Sequence, residues 1–259
     1  YCLGGGPNGN LFALSLEDGK LLYKEHYGTE FTSRFDGSRS TPTVVDGLVY
    51  FSSGKKDERS IYCCDAKTGK VVWHVDGRKL VGGDPQGWGY NESPLVYEDL
   101  VIFTLRAKND QTPCAIALDR KTGKLVWTAQ KGDLSAGDCS TSIAGRPGNR
   151  IIVMNLWKAI LALDPKTGQT LWSIKITKGT TITPTYNNGY LAVSKNGGGS
   201  VTVLKLADDS RSYTELWSAG VDAISQVVIV GDQDHRNGHQ GRQDDHSPLD
   251  QEVPRLGLP

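Results

Sequence analysis

A short sequence pattern that returns at a nearly regular interval constrains the fold of this chain more than any other feature. The four copies lie at residues 11–23, 61–73, 115–127 and 160–172. Aligned on the glycine that they share, the copies are 50, 54 and 45 residues apart. A period of this size is typical of propellers and solenoids, in which each repeat is one supersecondary unit that stacks on its neighbours.

Each copy of the pattern predicts a β-hairpin. The first strand is apolar and ends at an aspartate whose side chain can accept hydrogen bonds from the turn amides. The aspartates are Asp65, Asp119 and Asp164, with Ser15 in the first copy. The shared glycine then provides the positive φ that closes a short bulged turn, at Gly19, Gly69, Gly123 and Gly168. The return strand ends in a large aromatic residue suited to packing between sheets: Tyr23, Trp73, Trp127 or Trp172.

The segments between the hairpins supply a second pair of strands. Residues 39–53, 91–105 and 181–195 each combine a Ser/Thr-Pro start, a tight turn and an alternating strand. Residues 139–156 have the same organisation with a longer turn and no proline at the start. Two strands from each segment and two from each hairpin make a four-stranded antiparallel sheet, so the sequence predicts an all-β propeller built of such blades.

The repeats predict about four full blades with partial blades at both ends. The full blades are expected near residues 40–76, 90–130, 138–177 and 181–219. Residues 8–26 should form the last two strands of an earlier blade, and residues 222–232 the first strand of a later one. These units predict an incomplete ring, an open arc with exposed sheet edges that further blades of the same propeller would cover.

The C-terminal segment differs from the rest in composition. Residues 1–232 are assigned to the partial propeller, whereas residues 233–259 lack Phe, Trp, Tyr, Ile and Lys. Such a segment buries too little apolar surface to offset its conformational entropy, so a disordered or aberrant tail is expected. A second hypothesis is a frameshift near Gly231, because another reading frame permits the second strand of a blade. The segment contains His235, His239 and His246. Metal binding by these histidines is not expected, because a disordered tail lacks the rigid scaffold that a metal site requires.

Charge and hydropathy exclude several classes of protein. The chain has 29 basic and 29 acidic residues, which argues against a general binder of nucleic acid or anionic membranes. No apolar run is long enough for a transmembrane helix. The chain starts at Tyr1 with neither a methionine nor a signal-peptide pattern, so it is expected to be an internal piece of a longer protein.

The motif Ala-Leu-Asp-x-x-Thr-Gly-Lys-x-Val-Trp at residues 117–127, with relatives at 63–73 and 162–172, resembles the repeat of the pyrroloquinoline-quinone (PQQ)-like propeller superfamily. The resemblance extends from residue 11 to about residue 230. It implies a partial chain of a larger bacterial propeller in the periplasm or outside the cell. Some members of the superfamily are quinoprotein alcohol dehydrogenases and one is an outer-membrane assembly lipoprotein, so the fold does not fix the function.

Cys63 and Cys64 are adjacent in the sequence. The resemblance implies one possible role for them, because quinoprotein dehydrogenases carry a disulfide between adjacent cysteines beside the quinone. Alignment of the repeats favours another interpretation. Cys63 falls in the same column as Ala117 and Cys64 in the same column as Leu118. Neighbouring strand residues point to opposite faces, so both cysteines are expected to be packing residues. The Asp-x-x-Thr-Gly turns are likewise expected to be structural rather than calcium sites.

The segments that lead into the first strand of each blade contain the best candidates for ligand binding. In propellers these connections lie near the mouth of the central channel. The candidates are Arg39, Trp88, Tyr90, Glu92 and Asp138. Charged and aromatic side chains in these positions could bind a planar anion, a glycan or a peptide, and they could equally stabilise the loops.

Two functions from different classes follow from the sequence. The first is a non-catalytic module of the bacterial cell envelope that binds a protein or glycan partner and needs no cofactor or metal. The alternative is a fragment of a PQQ-dependent alcohol or sugar dehydrogenase, with PQQ and calcium in the channel. No matching set of Glu, Asn and Asp residues is evident for it. A third hypothesis is a fragment with no independent function, which would aggregate through its exposed edges.

Overall fold

The computed structural model describes residues 1–4, 8–30, 37–54, 59–82, 91–105, 111–132, 134, 137, 139–179, 181–195, 199–220 and 227–230. These residues form five antiparallel sheets, one of three strands and four of four strands. A single helical turn, Gly77–Val81, follows the second sheet and is capped by the side chain of Asp76. The structure therefore confirms the predicted all-β fold with four-stranded blades.

Blades 1 to 3 contain the first eleven strands. Blade 1 consists of Cys2–Gly4, Asn8–Leu14 and Leu21–Thr29. Blade 2 consists of Thr43–Val45, Leu48–Ser53, Ser60–Asp65 and Val71–Asp76. Blade 3 consists of Leu95–Tyr97, Leu100–Thr104, Ala115–Asp119 and Leu125–Thr128. The short strand at Cys2–Gly4 adds to the two strands that the sequence predicts for blade 1.

Blades 4 and 5 contain the remaining eight strands. Blade 4 consists of Ser142–Ala144, Ile151–Asn155, Ala159–Leu163 and Thr170–Lys175. Blade 5 consists of Thr185–Asn187, Tyr190–Val193, Ser200–Leu206 and Tyr213–Gly220. In every four-stranded blade the strands pair in sequence order, as in a propeller blade.

Residues 227–230 follow blade 5 and contain no strand, in contrast to the first strand predicted for residues 222–232. Val227 and Ile229 nevertheless pack against the outer face of blade 5. The carbonyl of Val227 accepts a 2.7 Å hydrogen bond from the Thr185 hydroxyl. The same type of bond joins Thr43 of blade 2 to the carbonyl of Pro94 in blade 3. Residues 227–230 thus lie where the start of another blade would lie. The proposed frameshift and tail fall outside the described residues.

The hydrophobic core lies between adjacent blades rather than within any one of them. One cluster joins blades 2 and 3 through residues that include Tyr50, Trp73 and Phe103. Similar clusters join blades 1 and 2, blades 3 and 4, and blades 4 and 5. Each blade therefore depends on its neighbours for burial of its apolar faces.

None of the described helical residues forms a segment long and apolar enough to cross a membrane.

Strand direction defines two ends of the arc of blades. The first and third strands of an antiparallel blade run in the same direction and begin at the same end. We call this end the top face; it contains the segments that lead into each first strand. The opposite end, the bottom face, contains the Asp-x-x-Thr-Gly turns. Of the predicted ligand-binding residues, Arg39 and Glu92 are described, and both lie in such top-face segments.

Candidate functional site at the top face

The structure describes two of the five predicted ligand-binding residues. Arg39 is half-buried beside the start of blade 2, whereas Glu92 is fully buried at the start of blade 3. Trp88, Tyr90 and Asp138 lie outside the described residues. The ligand-binding role of all five stays a prediction.

Glu92 forms a buried ion pair between two blades. Its Oε1 accepts a hydrogen bond from the guanidinium of Arg59, which precedes the third strand of blade 2. Arg59 also donates to the backbone carbonyl of Thr104 in blade 3, and its guanidinium lies over the ring of Phe103. Burial of a charge costs free energy of desolvation unless an opposite charge or hydrogen bonds compensate for it. Here the charges of Arg59 and Glu92 compensate for each other. Glu92 therefore joins blade 3 to blade 2.

Hydroxyl groups continue the connection between blades along the top face. The backbone N–H of Thr41 donates to the Ser93 hydroxyl at 3.1 Å, and the N–H of Ser93 donates to the Ser140 hydroxyl at 2.9 Å. The N–H of Ser140 in turn donates to the Thr183 hydroxyl at 3.1 Å. These four residues occupy equivalent positions in blades 2 to 5. The serine or threonine at the start of each of these blades, followed by proline in three of the four, thus contributes to a series of hydrogen bonds that links the blades.

A second row of polar residues lies at the top end of each second strand. The row consists of the buried residues Ser52, Thr104, Asn155 and Ser194. Asn155 donates through Nδ2 to the carbonyl of Ile182 in the next blade at 2.9 Å. Its Oδ1, the hydroxyls of Ser52 and Thr104, and Glu92 Oε2 have no hydrogen-bond partner among the described residues. Ordered water or a polar ligand would supply hydrogen-bond partners for these buried atoms. We call this row the polar layer of the top face.

The aromatic residues of the repeat join the blades near the bottom face. Each indole N–H donates at 3.0 Å to a backbone carbonyl in the turn of the next blade: Trp73 to Arg120, Trp127 to Pro165 and Trp172 to Ser210. In blade 1 the hydroxyl of Tyr23 donates to the carbonyl of Ala66 at 2.8 Å. We call this contact the aromatic latch.

The aromatic ring of the preceding blade packs directly against the turn glycine. A Cβ on Gly69 would lie 2.6 Å from the ring of Tyr23. The corresponding distances are 2.9 Å from Gly123 to Trp73 and 2.5 Å from Gly168 to Trp127. The φ angles of these glycines are 74°, 71° and 70°. Glycine is therefore required both by its backbone conformation and by the space that the ring occupies.

The aspartates of the turns are occupied by local hydrogen bonds. Asp65 Oδ1 accepts from the amide and the hydroxyl of Thr68, both at 2.8 Å. Asp119 makes the same pair of bonds with Thr122. The bond from the threonine hydroxyl is the main reason that the pKa of each carboxyl is lowered. These contacts agree with a structural role for the turns.

The vicinal cysteines are buried on opposite sides of blade 2. Cys63 belongs to the cluster between blades 2 and 3, and Cys64 to the cluster between blades 1 and 2. Both are free thiols. Burial raises the pKa of each to about 12, so both thiols are protonated near neutral pH. They occupy the packing positions that the alignment of the repeats predicts.

The described residues do not fit a bound calcium ion and quinone. They contain no group of three or more His, Cys, Asp or Glu side chains placed to hold a metal. Calcium requires six to eight oxygen ligands. Of the two buried carboxylates in the described part of the chain, Glu92 pairs with Arg59, and Glu30 accepts a hydrogen bond from the hydroxyl of Tyr27.

Comparison with known proteins identifies the family. A family model described as outer membrane protein assembly factor BamB matches residues 7–233. The chain belongs to this family of PQQ-like propellers. Its four-stranded antiparallel blades are those of a β-propeller, as the sequence repeat predicts.

Relatives of the chain differ in function: they include quinoprotein alcohol dehydrogenases, a tetrathionate hydrolase and an outer membrane protein assembly factor. The quinoprotein ethanol dehydrogenase of Pseudomonas aeruginosa is 27% identical over 75% of this chain, which covers 33% of that enzyme. The outer membrane protein assembly factor BamB of Shewanella oneidensis is 22% identical over 92% of this chain and 66% of that protein. The chain thus spans about a third of the length of this dehydrogenase and of three others that it resembles.

A solved structure supports the fold alone. The quinohemoprotein alcohol dehydrogenase of Comamonas testosteroni aligns with a TM-score of 0.59 at 14% identity, over 84% of this chain and 41% of that enzyme. At this level of identity the likeness is one of architecture and carries no information about activity.

Proposed function

We propose that this propeller is a non-catalytic binding module of the bacterial cell envelope that presents its top face to a protein partner. The pairing of Glu92 with Arg59 carries this proposal. Catalysis by a quinoprotein needs a carboxylate that is free to accept a proton beside the cofactor. The carboxylate at the start of blade 3 is instead committed to the contact between blades 2 and 3.

The relation to BamB supports the same function. The family model carries the name of an outer membrane assembly factor and matches most of the chain. The Shewanella oneidensis relative is matched over two-thirds of its length, whereas the dehydrogenases are matched over about a third. A protein of this group acts in the envelope, which agrees with a periplasmic or extracellular location. A glycan is the second class of ligand that the polar top face suits.

A PQQ-dependent alcohol or sugar dehydrogenase is the alternative function. The 27% identity to a quinoprotein ethanol dehydrogenase favours it. Glu92 Oε2, which is buried and has no partner among the described residues, is an acceptor that a ligand could use. In a longer protein, blades beyond this chain would have to supply the remaining ligands of calcium and PQQ.

Site-specific photo-crosslinking tests the proposed binding face. A photoreactive amino acid is placed at Arg39 on the top face and, as a matched control, at the exposed Lys121 on the bottom face. Both variants are exported to the periplasm of a bacterial host. We expect a discrete crosslinked protein from position 39 and none from position 121. Absence of a crosslink at position 39, or equal crosslinking at both positions, would overturn the proposed face.

A further inference from the structure

Trp157 is an exposed tryptophan on the top face of blade 4. It lies in the connection between the second and third strands of the blade, Ile151–Asn155 and Ala159–Leu163, which meet at the top end. Its neighbour Leu156 is fully buried, whereas Trp157 is 45% exposed. Tryptophan buries a large area when a partner covers it and is enriched among the residues that dominate binding energy. The indole is therefore a candidate contact for a partner of the top face.

Gly179, in the segment that leads from blade 4 to blade 5, packs against this indole. A Cβ on Gly179 would lie 2.4 Å from Cδ2 of Trp157, 2.7 Å from Cε3 and 2.8 Å from Cγ. These distances place that point above the ring plane, over the fused carbon Cδ2. Gly179 thus covers one face of the indole at close range, and a residue with a Cβ would displace the ring.

The backbone on both sides of Gly179 is fixed to blade 4. The N–H of Ile176 donates to the carbonyl of Lys158 at 3.0 Å. The carbonyl of Ile182 accepts from Nδ2 of Asn155 at 2.9 Å. Both isoleucines are buried. The indole is therefore held in its exposed position before any partner binds, and a partner that contacts it loses little conformational entropy at this point.

Blade 4 and most of blade 5 are strongly basic, although the chain as a whole is neutral. Residues 139–207 contain eight basic residues and one acidic residue, Asp164. Lys158, Lys175 and Lys178 are exposed and lie at the top end, next to the indole or to the segment that packs on it. Asp164 lies at the bottom end, in the turn of blade 4. The surroundings of the indole therefore attract anionic groups.

We propose that Trp157 is the anchor with which the top face binds an acidic segment of its protein partner. The inference rests on the proposed function, because it specifies the chemistry of the partner. An apolar side chain of the segment packs on the open part of the indole, and carboxylates beside it pair with Lys158, Lys175 and Lys178. The indole supplies most of the affinity, whereas the exposed lysines supply the preference for negative charge and a faster association.

Titration with defined peptides provides the test. The first peptide is fluorescein-labelled Glu-Glu-Pro-Trp-Glu-Glu, and the second has lysine in place of every glutamate. We expect saturable binding of the acidic peptide alone, weakened by added salt. Trp157→Ala should weaken binding at least about tenfold, as the loss of a central aromatic anchor does in other interfaces. Lys175→Gln/Lys178→Gln should weaken binding and also make it less sensitive to salt.

Further variants separate the anchor from general effects. Gly179→Ala keeps the indole but displaces it, so it should also weaken binding. Lys166→Gln/Lys205→Gln makes the same change of charge at exposed positions of the bottom face and should bind as the wild type does. Denaturant titration of each variant shows that it is folded under the conditions of the assay. Trp157→Phe, which keeps an aromatic ring, should recover part of the binding that Trp157→Ala loses.

Several results would overturn the inference. These are a wild-type chain that binds neither peptide, equal binding of both peptides, unchanged binding by Trp157→Ala, or tighter binding of an acidic oligosaccharide such as oligogalacturonate than of the acidic peptide.

The crosslink from position 39 distinguishes failure of this inference from failure of the proposed function. A crosslink from Arg39 that is as strong in Trp157→Ala as in the wild type would overturn the anchor and leave the proposed face standing. Absence of that crosslink in the wild type would overturn the proposed face and, with it, this inference. We expect a crosslink in the wild type that Trp157→Ala weakens.

Discussion

The indole Nε1 of Trp73 in blade 2 donates a 3.0 Å hydrogen bond to the backbone carbonyl of Arg120 in blade 3. The same carbonyl accepts from the hydroxyl of Tyr50 at 3.1 Å, and the Arg120 guanidinium forms an ion pair with Asp46 of blade 2 at 2.6 Å. The bottom of the junction between blades 2 and 3 is therefore held by polar contacts around one turn. The Arg59–Glu92 pair holds the top of the same junction.

Substitutions at Trp127 should show separately how much the packing of the indole ring and its hydrogen bond contribute to the free energy of unfolding. Trp127→Phe keeps most of the buried ring but leaves the Pro165 carbonyl without its donor, and we expect a loss of about 1 kcal/mol in the free energy of unfolding. Trp127→Ala should cost about 3–5 kcal/mol because it also opens a cavity. Denaturant titration gives both values. Equal losses in the two variants would contradict the separation.

The Arg59–Glu92 pair should show strong coupling between its members. Removal of either partner alone, as in Arg59→Met or Glu92→Gln, leaves a buried charge and should cost about 3–5 kcal/mol of folding free energy. The double variant Arg59→Met/Glu92→Gln should be clearly more stable than the sum of the single changes predicts. Denaturant titration of the four proteins measures the coupling, and additive losses would show that the pair is not a unit.

Most of the fold could be predicted from the sequence repeat. The features that could not be predicted are mainly contacts between one repeat and the next. Gly123 and Trp127 could be assigned from the sequence because the same residue types recur at the same offsets. The partner of Glu92 could not, because Arg59 belongs to a connection outside the repeat and 33 residues away, so their contact depends on how two blades stack. The strand Cys2–Gly4 was missed because three residues are too few to show alternation.

Thiol titration should distinguish packed cysteines from a vicinal disulfide. The pKa of Cys63 and that of Cys64 are raised to about 12 by burial, so neither is a reactive thiolate in the native protein at mildly alkaline pH. Cys2 is exposed and the other four cysteines are buried. We expect one fast thiol in the native state and all five after unfolding without reductant. Three titratable thiols after unfolding would indicate a Cys63–Cys64 disulfide.

The turn aspartates should contribute to acid sensitivity. The pKa values of Asp65 and Asp119 are lower in the folded protein than in the unfolded chain, mainly through their threonine partners. Their contribution is therefore present above the unfolded pKa, about 4, and is lost as the pH falls through the folded value. Asp65→Asn/Asp119→Asn should be less stable at neutral pH and should lose less stability on acidification.

Unfolding measured as a function of pH tests the role of the aspartates. Glu17→Gln, an exposed carboxylate in the turn of blade 1, is the control and should follow the wild-type curve. A double variant whose stability falls on acidification as steeply as that of the wild type would show that these carboxyls do not couple folding to protonation.

Titration of the chain with PQQ in the presence of calcium distinguishes a propeller that binds a partner from one that catalyses an oxidation. Quinone absorbance and the reduction of an artificial electron acceptor by an alcohol are followed together. We expect no saturable binding and no reduction of the acceptor above the level that free PQQ gives. Saturable micromolar binding accompanied by alcohol-dependent reduction of the acceptor would contradict this expectation and establish the dehydrogenase.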